Sequence, residues 1–128
     1  MADAHANFAY ATVATAPSPA NSGTSLVVSS GKGSLFPTPP FNATVWPAGS
    51  QPLSTNAEIV RVTNISTDTF TITRTQEGTS ARSITVGDQI AATITAKTFT
   101  DIESSYVNTY TPFVMASGGT GLQTLASN

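Results

Sequence analysis

The feature that most constrains the fold is a run of alternating apolar and polar residues between positions 58 and 88. The segments 57–65 and 69–74 follow a period of two, as half-buried β-strands do, and in the second segment threonines at 69, 71 and 73 occupy the face opposite the apolar residues. The short polar connection Ser66–Asp68 suits a hairpin turn. The predicted inner face of this hairpin carries Val60, Val62, Phe70 and Ile72.

The rest of the chain up to Thr95 is predicted to add short strands separated by turns rich in proline and glycine. Three prolines exclude residues 35–41 from a central strand, and we expect this loop to place Phe36 and Phe41 on the core. The additional strands are predicted at residues 8–13, 24–28, 42–46, 84–86 and 89–95. The predicted fold class is therefore all-β, a small antiparallel β-sandwich or barrel-like domain with Pro-rich loops.

A change of period after Thr95 indicates one short helix near the C-terminal end. Residues 96–104 place Phe99 and Ile102 at helical spacing, with Tyr106 one turn further on and Thr95 as a suitable N-cap. This helix is expected to close the domain. The aromatic side chains expected in the core are Phe41, Phe70 and Phe99.

The composition along the chain predicts that it has three parts. Residues 1–13 are small and apolar after Asp3, and we interpret them as an N-terminal docking arm or an edge strand. Residues 14–110 form the β domain. Residues 111–128 are rich in glycine and serine, which is typical of a flexible linker with something attached beyond it.

Composition narrows the possible partners. Only 9% of the residues are charged and the formal net charge is −2, with the basic residues scattered along the chain, so a nucleic-acid surface is not expected. The chain has no cysteine, which excludes disulfides and thiolate metal sites. The first residues lack the pattern of a signal peptide, and no stretch approaches the ~20 apolar residues of a membrane helix. We therefore expect a soluble protein made in a cytoplasm, with no membrane partner.

Catalytic and metal-binding patterns are also missing from the sequence. His5 is the single histidine, so a zinc site or a nucleophilic triad would lack partners. The sequence contains neither a Gly-x-Ser-x-Gly elbow nor a phosphate-binding loop. The candidate carboxylates for a glycosidase pair lie in predicted turns and on the predicted helix; they are Glu77, Asp88, Asp101 and Glu103. We predict that the protein is not an enzyme and needs no cofactor.

Several aromatic side chains near the ends of predicted elements are candidates for contacts with other subunits. Trp46, which precedes a proline, is also a candidate platform for stacking a sugar ring. The candidate interface residues are Phe8, Tyr10, Trp46, Tyr106, Tyr110 and Phe113.

The segment 57–82, followed by Val86-Gly-Asp88, resembles a module of virion proteins of tailed bacteriophages. The shared frame is Glu-(Ile/Val)-Val-Arg-Val-Thr, a short turn, alternating threonines, Thr-Arg-x-Gln-Glu-Gly-Thr, and then Gly-Asp. The upstream residues 25–28 and 36–45 are similar to the usual start of this module. The resemblance is to the N-terminal module of tail fibre, minor tail and head-appendage proteins.

This resemblance implies a structural component of the virion, assembled in the host cytoplasm. The expected role is the particle-anchoring N-terminal domain of a fibre; a capsid-decorating or adaptor protein, and a carbohydrate- or receptor-binding module, are the alternatives. The implied partners are capsid, portal or adaptor, and tail proteins, with further copies of the chain; the resemblance to fibre proteins implies a homotrimer. The residues expected to hold the corner of the module together are Arg61, Arg74, Glu77 and Gly78.

Overall fold

The computed structural model describes the backbone of residues 2–116 and the side chains of residues 2–106. The chain divides into two compact units. One unit is residues 3–95, and the other contains the C-terminal helix.

The first unit is a closed antiparallel barrel of six strands. The strand order is β1-β2-β5-β4-β3-β6, and β6 pairs back to β1. The strands are β1 (Tyr10–Thr15), β2 (Ser25–Val28), β3 (Phe41–Trp46), β4 (Glu58–Ser66), β5 (Thr69–Gln76) and β6 (Gln89–Ala91). The all-β prediction is confirmed, and of the two predicted architectures the barrel is the one observed.

The core follows the alternation of the strands. The four residues predicted for the inner face of the hairpin are all buried, and so are Phe36 in the Pro-rich loop and Phe41, which is the first residue of β3 and not part of the loop as predicted. The ring of Phe36 stacks on Phe41 at 6.1 Å and meets Phe70 edge-on at 4.9 Å. Each such apolar side chain contributes about 1.5–3 kcal/mol by leaving water. Both aromatic side chains therefore pack on the core, as expected.

The β4–β5 hairpin is irregular at two places. Between the pairs Ile59–Gln76 and Arg61–Thr73, β5 carries one residue more than β4, which is a β-bulge. Thr75 lies in this bulge with φ of 53°, a left-handed conformation that is uncommon outside glycine. The bulge redirects the backbone at the end of β5.

The loop after β2 packs tightly on the hairpin turn. A Cβ atom at Gly33 would lie 1.9 Å from the carbonyl oxygen of Thr67. Asp68 in the turn accepts hydrogen bonds from the backbone N–H groups of Gly31 and Gly33, at 2.9 and 2.8 Å. Only a residue without a side chain permits this approach.

The structure differs from the predicted boundaries at both ends of the barrel. β1 begins at Tyr10 and pairs with both β2 and β6, so residues 10–13 belong to the barrel wall and are not an edge strand. Ile84 is buried, but residues 84–86 are not a strand, because Ile84 donates its N–H to Ala20 in a loop and Asp88 closes a turn onto Thr85. β6 is also shorter than the predicted segment 89–95.

The second unit contains one helix, α1 (Ala96–Ala116), which is longer than the predicted helix 96–104. It crosses the predicted start of the linker at residue 111, whereas the linker residues 117–128 lie outside the described part of the chain. The expectation that Phe99 lies in the core is wrong, because its side chain is 56% exposed. Helical spacing identifies an apolar stripe but not the surface that covers it. Within the described residues, no helix is long and apolar enough to span a membrane.

Candidate functional site

A buried ion pair joins the start of β4 to the end of β5. Glu58 is fully buried, and the guanidinium of Arg74 is nearly so. Arg74 Nε donates to Glu58 Oε2 at 2.9 Å, and Arg74 Nη2 donates to Oε1 at 2.7 Å. This bidentate geometry is the strongest form of an arginine–carboxylate contact.

The rest of the pair's hydrogen-bonding capacity is used by backbone groups. Glu58 also accepts from the N–H groups of Thr75 and Arg82, at 2.7 and 3.0 Å. Arg74 Nη1 donates to the carbonyl oxygens of Ala20 and Gly23, and Nη2 donates to that of Arg82. The pair therefore ties two strands to two loops.

The environment keeps Glu58 ionised. Burial raises the pKa of its carboxyl, but the Arg74 hydrogen bonds and the N–H groups of Arg82 and Thr75 outweigh burial and hold the pKa below its ordinary value. The left-handed backbone of Thr75 is part of this arrangement, since the bulge brings its N–H to the carboxylate. The bulge therefore places the N–H of Thr75 where it can donate to Glu58.

The network extends to the next turn through a second ion pair. Arg82 Nη2 lies 3.0 Å from Asp88 Oδ2, and both side chains are largely buried. Asp88 also accepts from the N–H of Thr85 at 2.9 Å. Glu58, Arg74, Arg82 and Asp88 thus form one continuous set of contacts, which we call the corner network.

A separate network lies where the N-terminal segment meets the barrel. Arg61 holds Asp3 through two hydrogen bonds, at 2.8 and 2.9 Å, and donates a third to Asn42 Oδ1. The amide of Asn42 donates to Glu77 Oε2 at 2.7 Å, and so does the hydroxyl of Thr95 at 2.6 Å. This network fastens Asp3 at the start of the barrel unit.

The predicted structural residues are therefore divided between two networks. Arg74 belongs to the corner network, whereas Arg61 and Glu77 are joined through Asn42. Gly78 follows Glu77 in the turn after β5, with φ of 78°, and a Cβ atom there would meet nothing within 4 Å. Glycine is favoured at residue 78 because of the positive φ, and not because a side chain would clash there.

The sequence reasoning missed Glu58, Arg82 and Asp88 as members of the corner network, although a signal was present for Glu58. It occupies the same strand face as Val60 and Val62, which are buried. Arg74 likewise follows Phe70 and Ile72 on the inner face of β5. An acid and a base that both face inward on paired strands are expected to meet.

The predicted interface aromatics differ in exposure. Phe8 is 89% exposed, with φ of 60°, whereas Trp46 is only 9% exposed. Tyr10 lies 6.5 Å from the indole of Trp46 between ring centroids and donates its hydroxyl to Gln89. Tyr106 is exposed on α1. The side chains of Tyr110 and Phe113 lie outside the described residues.

Among residues 2–106, no three His, Asp or Glu side chains are grouped as metal ligands. A shallow pocket of about 330 Å³ lies beside Asp68, but the backbone N–H groups of Gly31 and Gly33 already hold this carboxylate and lower its pKa. The carboxylates of Glu58, Asp68 and Asp88 therefore each accept hydrogen bonds from backbone N–H groups and hold that backbone in place.

Comparisons with known proteins do not assign the chain to a family. No family model matches its sequence. A search of curated proteins also finds no match.

Proposed function

We propose that this chain is a structural module of a tailed-bacteriophage virion, and specifically the particle-anchoring N-terminal domain of a fibre protein. The observation that carries the proposal concerns the residues that resemble the virion module. Three charged residues of that frame, Glu58, Arg74 and Asp88, form the corner network together with Arg82, which lies in the same segment. The shared frame therefore describes how a barrel is held together, as expected of a scaffold.

The polar positions of the same frame have matching structural roles. Thr79, the last residue of Gln-Glu-Gly-Thr, accepts from the N–H of Ile59 at 3.0 Å and donates its hydroxyl to the carbonyl of Gln76 at 2.7 Å. Gly78 supplies the left-handed turn between them. These contacts support a module that presents rigid loops to neighbouring proteins.

The surface of the barrel also suits assembly. The solvent-facing residues of the hairpin include Thr63, Thr71 and Thr73, which carry no charge. Phe8 projects from the turn before β1 and is almost fully exposed. An exposed aromatic residue on a rigid barrel is the kind of anchor that protein interfaces use. The proposed partners are capsid, portal or tail proteins and further copies of the chain, most simply as a homotrimer.

A capsid-decorating or adaptor protein is the alternative role for the same barrel. The carbohydrate-binding alternative has less support, because the buried indole of Trp46 offers little surface on which a sugar ring could stack.

Labelling of virions tests the proposal. Antibodies against the purified chain would be applied to particles produced from the source genome and located by gold-label electron microscopy. We expect label at the base of the fibres. Label spread over the capsid would favour decoration, and purified particles free of the protein would overturn the virion role.

The contact made by Phe8 is tested in the same particles. Phe8→Ser should reduce incorporation while leaving the barrel folded, because the side chain makes no contribution to the core. The matched control is Val86→Ser, which alters another exposed apolar residue of the barrel. Equal incorporation of the two variants would remove Phe8 from the proposed anchor.

A further inference from the structure

The segment before β1 is attached to the barrel at two points and exposed between them. At one point, Asp3 accepts two hydrogen bonds from Arg61, and only 17% of its side chain is exposed. At the other, Ala9 is buried, and its carbonyl oxygen accepts from the N–H of Ala92 at 2.9 Å. Residues 4–8 are all exposed. They form a loop held at both ends, which we call the N-terminal loop.

The barrel orients the guanidinium of Arg61 towards Asp3. Arg61 lies on β4 opposite Asn42 of β3, and it donates to Asn42 Oδ1 at 2.9 Å. The amide of Asn42 is fixed in turn, because it donates to Glu77 Oε2 at 2.7 Å. The side chain that binds Asp3 is therefore oriented by hydrogen bonds within the barrel, which favours a single geometry for the bidentate ion pair.

The N-terminal loop holds Phe8 in an unusual backbone conformation. Its φ is 60°, which is an outlier for a bulky residue. The side chain is 89% exposed, so packing of the ring does not impose this conformation. Strained backbone persists where the surrounding structure imposes it, and it is frequent at binding sites. The attachments at Asp3 and Ala9 flank Phe8 on both sides and restrict the backbone between them.

We propose that the Asp3–Arg61 ion pair positions Phe8 for its contact with a neighbouring virion protein. This inference rests on the proposed anchoring role of Phe8 and adds how that contact is controlled. With the ion pair formed, the N-terminal loop presents the ring in one orientation. With the ion pair broken, the loop samples more conformations and must be ordered when it docks, which weakens binding. Asp3 and Arg61 are positioning residues, and Phe8 is the residue that touches the partner.

Spin labelling of the purified full-length chain tests whether the ion pair restrains the loop. The chain has no cysteine, so Ala6→Cys carries a single nitroxide label within the N-terminal loop. We expect the electron paramagnetic resonance spectrum of a restrained label, and Asp3→Asn should shift it to the spectrum of a mobile label. A spectrum that Asp3→Asn leaves unchanged would overturn the inference.

The matched control breaks an ion pair elsewhere in the chain. Asp101 pairs with Lys97 on α1, and Asp101→Asn removes the same charge as Asp3→Asn. The control should keep the restrained spectrum, and equal mobility in the two variants would overturn the inference, because the effect would then follow net charge. Circular dichroism checks the fold of Asp3→Asn, which should keep the barrel signal because the contacts within the barrel remain.

Incorporation into particles tests whether the ion pair acts through Phe8. Asp3→Asn should reduce incorporation by roughly threefold to tenfold, because the loop must then be ordered on docking. The double variant Asp3→Asn/Phe8→Ser should incorporate as well as Phe8→Ser alone, since a positioning residue has no effect once the residue that it positions is gone. Additive losses would give Asp3 a separate role and overturn the inference.

The two experiments distinguish failure of this inference from failure of the proposed function. Normal incorporation of Phe8→Ser would overturn the anchoring role of Phe8, and this inference with it, whatever the spectra show. Spectra that do not respond to Asp3→Asn would overturn the positioning role alone, even if Phe8→Ser reduces incorporation.

Discussion

At the scale of single residues, the most consequential position is Glu58. It is an acid on the inner face of a strand, between apolar neighbours, and it is stable there because Arg74 and two backbone N–H groups use its oxygen atoms. Removing one partner of a buried pair leaves the other charge without compensation, and this costs far more than the pair itself contributes.

Glu58→Gln should therefore lower the free energy of unfolding by about 3–5 kcal/mol, because Arg74 remains buried with a neutral partner. Urea denaturation at pH 7 measures this change. Glu103→Gln is the control, since it removes the same charge from an exposed position on the helix, and surface changes of this kind alter stability by less than about 0.5 kcal/mol. Similar midpoints for the two variants would show that the corner network is not important for stability.

Glu58 also predicts how stability depends on pH. Its folded-state pKa lies below the ordinary value of 4.5, as that of Asp68 lies below 3.8. A carboxyl with a lowered pKa stabilises the fold fully above its unfolded-state pKa, and this contribution is lost as the pH falls through the folded-state pKa. The free energy of unfolding should thus decrease below pH 4.5.

Denaturation midpoints recorded from neutral pH downward would test this direction. The variant Asp68→Asn removes the contribution of Asp68 to the pH dependence. The decrease in the free energy of unfolding that remains in this variant includes the contribution of Glu58. A free energy of unfolding that rises on acidification would contradict the prediction.

At the scale of secondary-structure elements, the loops are fitted to the hairpin by close backbone approach. Gly33 is the clearest case, since it lies against the carbonyl of Thr67 and its N–H is bound by Asp68. This contact requires both the loop after β2 and the turn between β4 and β5 to be in place.

Gly33→Ala should destabilise the fold by about 1–3 kcal/mol through overpacking against Thr67. Gly31→Ala is the matched control in the same loop, because it has φ of 79° but nothing within 4 Å of its Cβ position. Thermal unfolding of the two variants should give the lower midpoint for Gly33→Ala. The reverse order would argue against a steric requirement at residue 33.

Elements whose periodicity extends over several residues were predictable. The hairpin strands, the turn at residues 66–68 and the burial of Phe36 and Phe41 are confirmed. The strand predicted at 84–86 is wrong, because the N–H of Ile84 bonds to Ala20, a partner distant in sequence. Short segments take the conformation that their long-range partners impose, and alternation alone does not contain those partners.

At the scale of the whole molecule, the barrel and the helix form separate units. The barrel has its own core and contains both ion-pair networks within residues 3–95. Its stability should therefore not require the helix.

A chain that ends at Thr95 should unfold cooperatively, with a thermal midpoint within a few degrees of the full-length protein. Circular dichroism at increasing temperature measures this midpoint. Absence of a cooperative transition in the shortened chain would show that the two units depend on each other.

The sequence by itself determined the all-β class and the inner face of the hairpin, because a strand's side chains alternate with a period of two whatever surrounds them. It also carried the acid and the base of the corner network on inward-facing positions, at Glu58 and Arg74. Only the tertiary structure decided that the strands close into a barrel, that Arg82 and Asp88 complete the network, and that Phe99 faces water. These outcomes depend on which distant segments meet, and local spacing does not specify that.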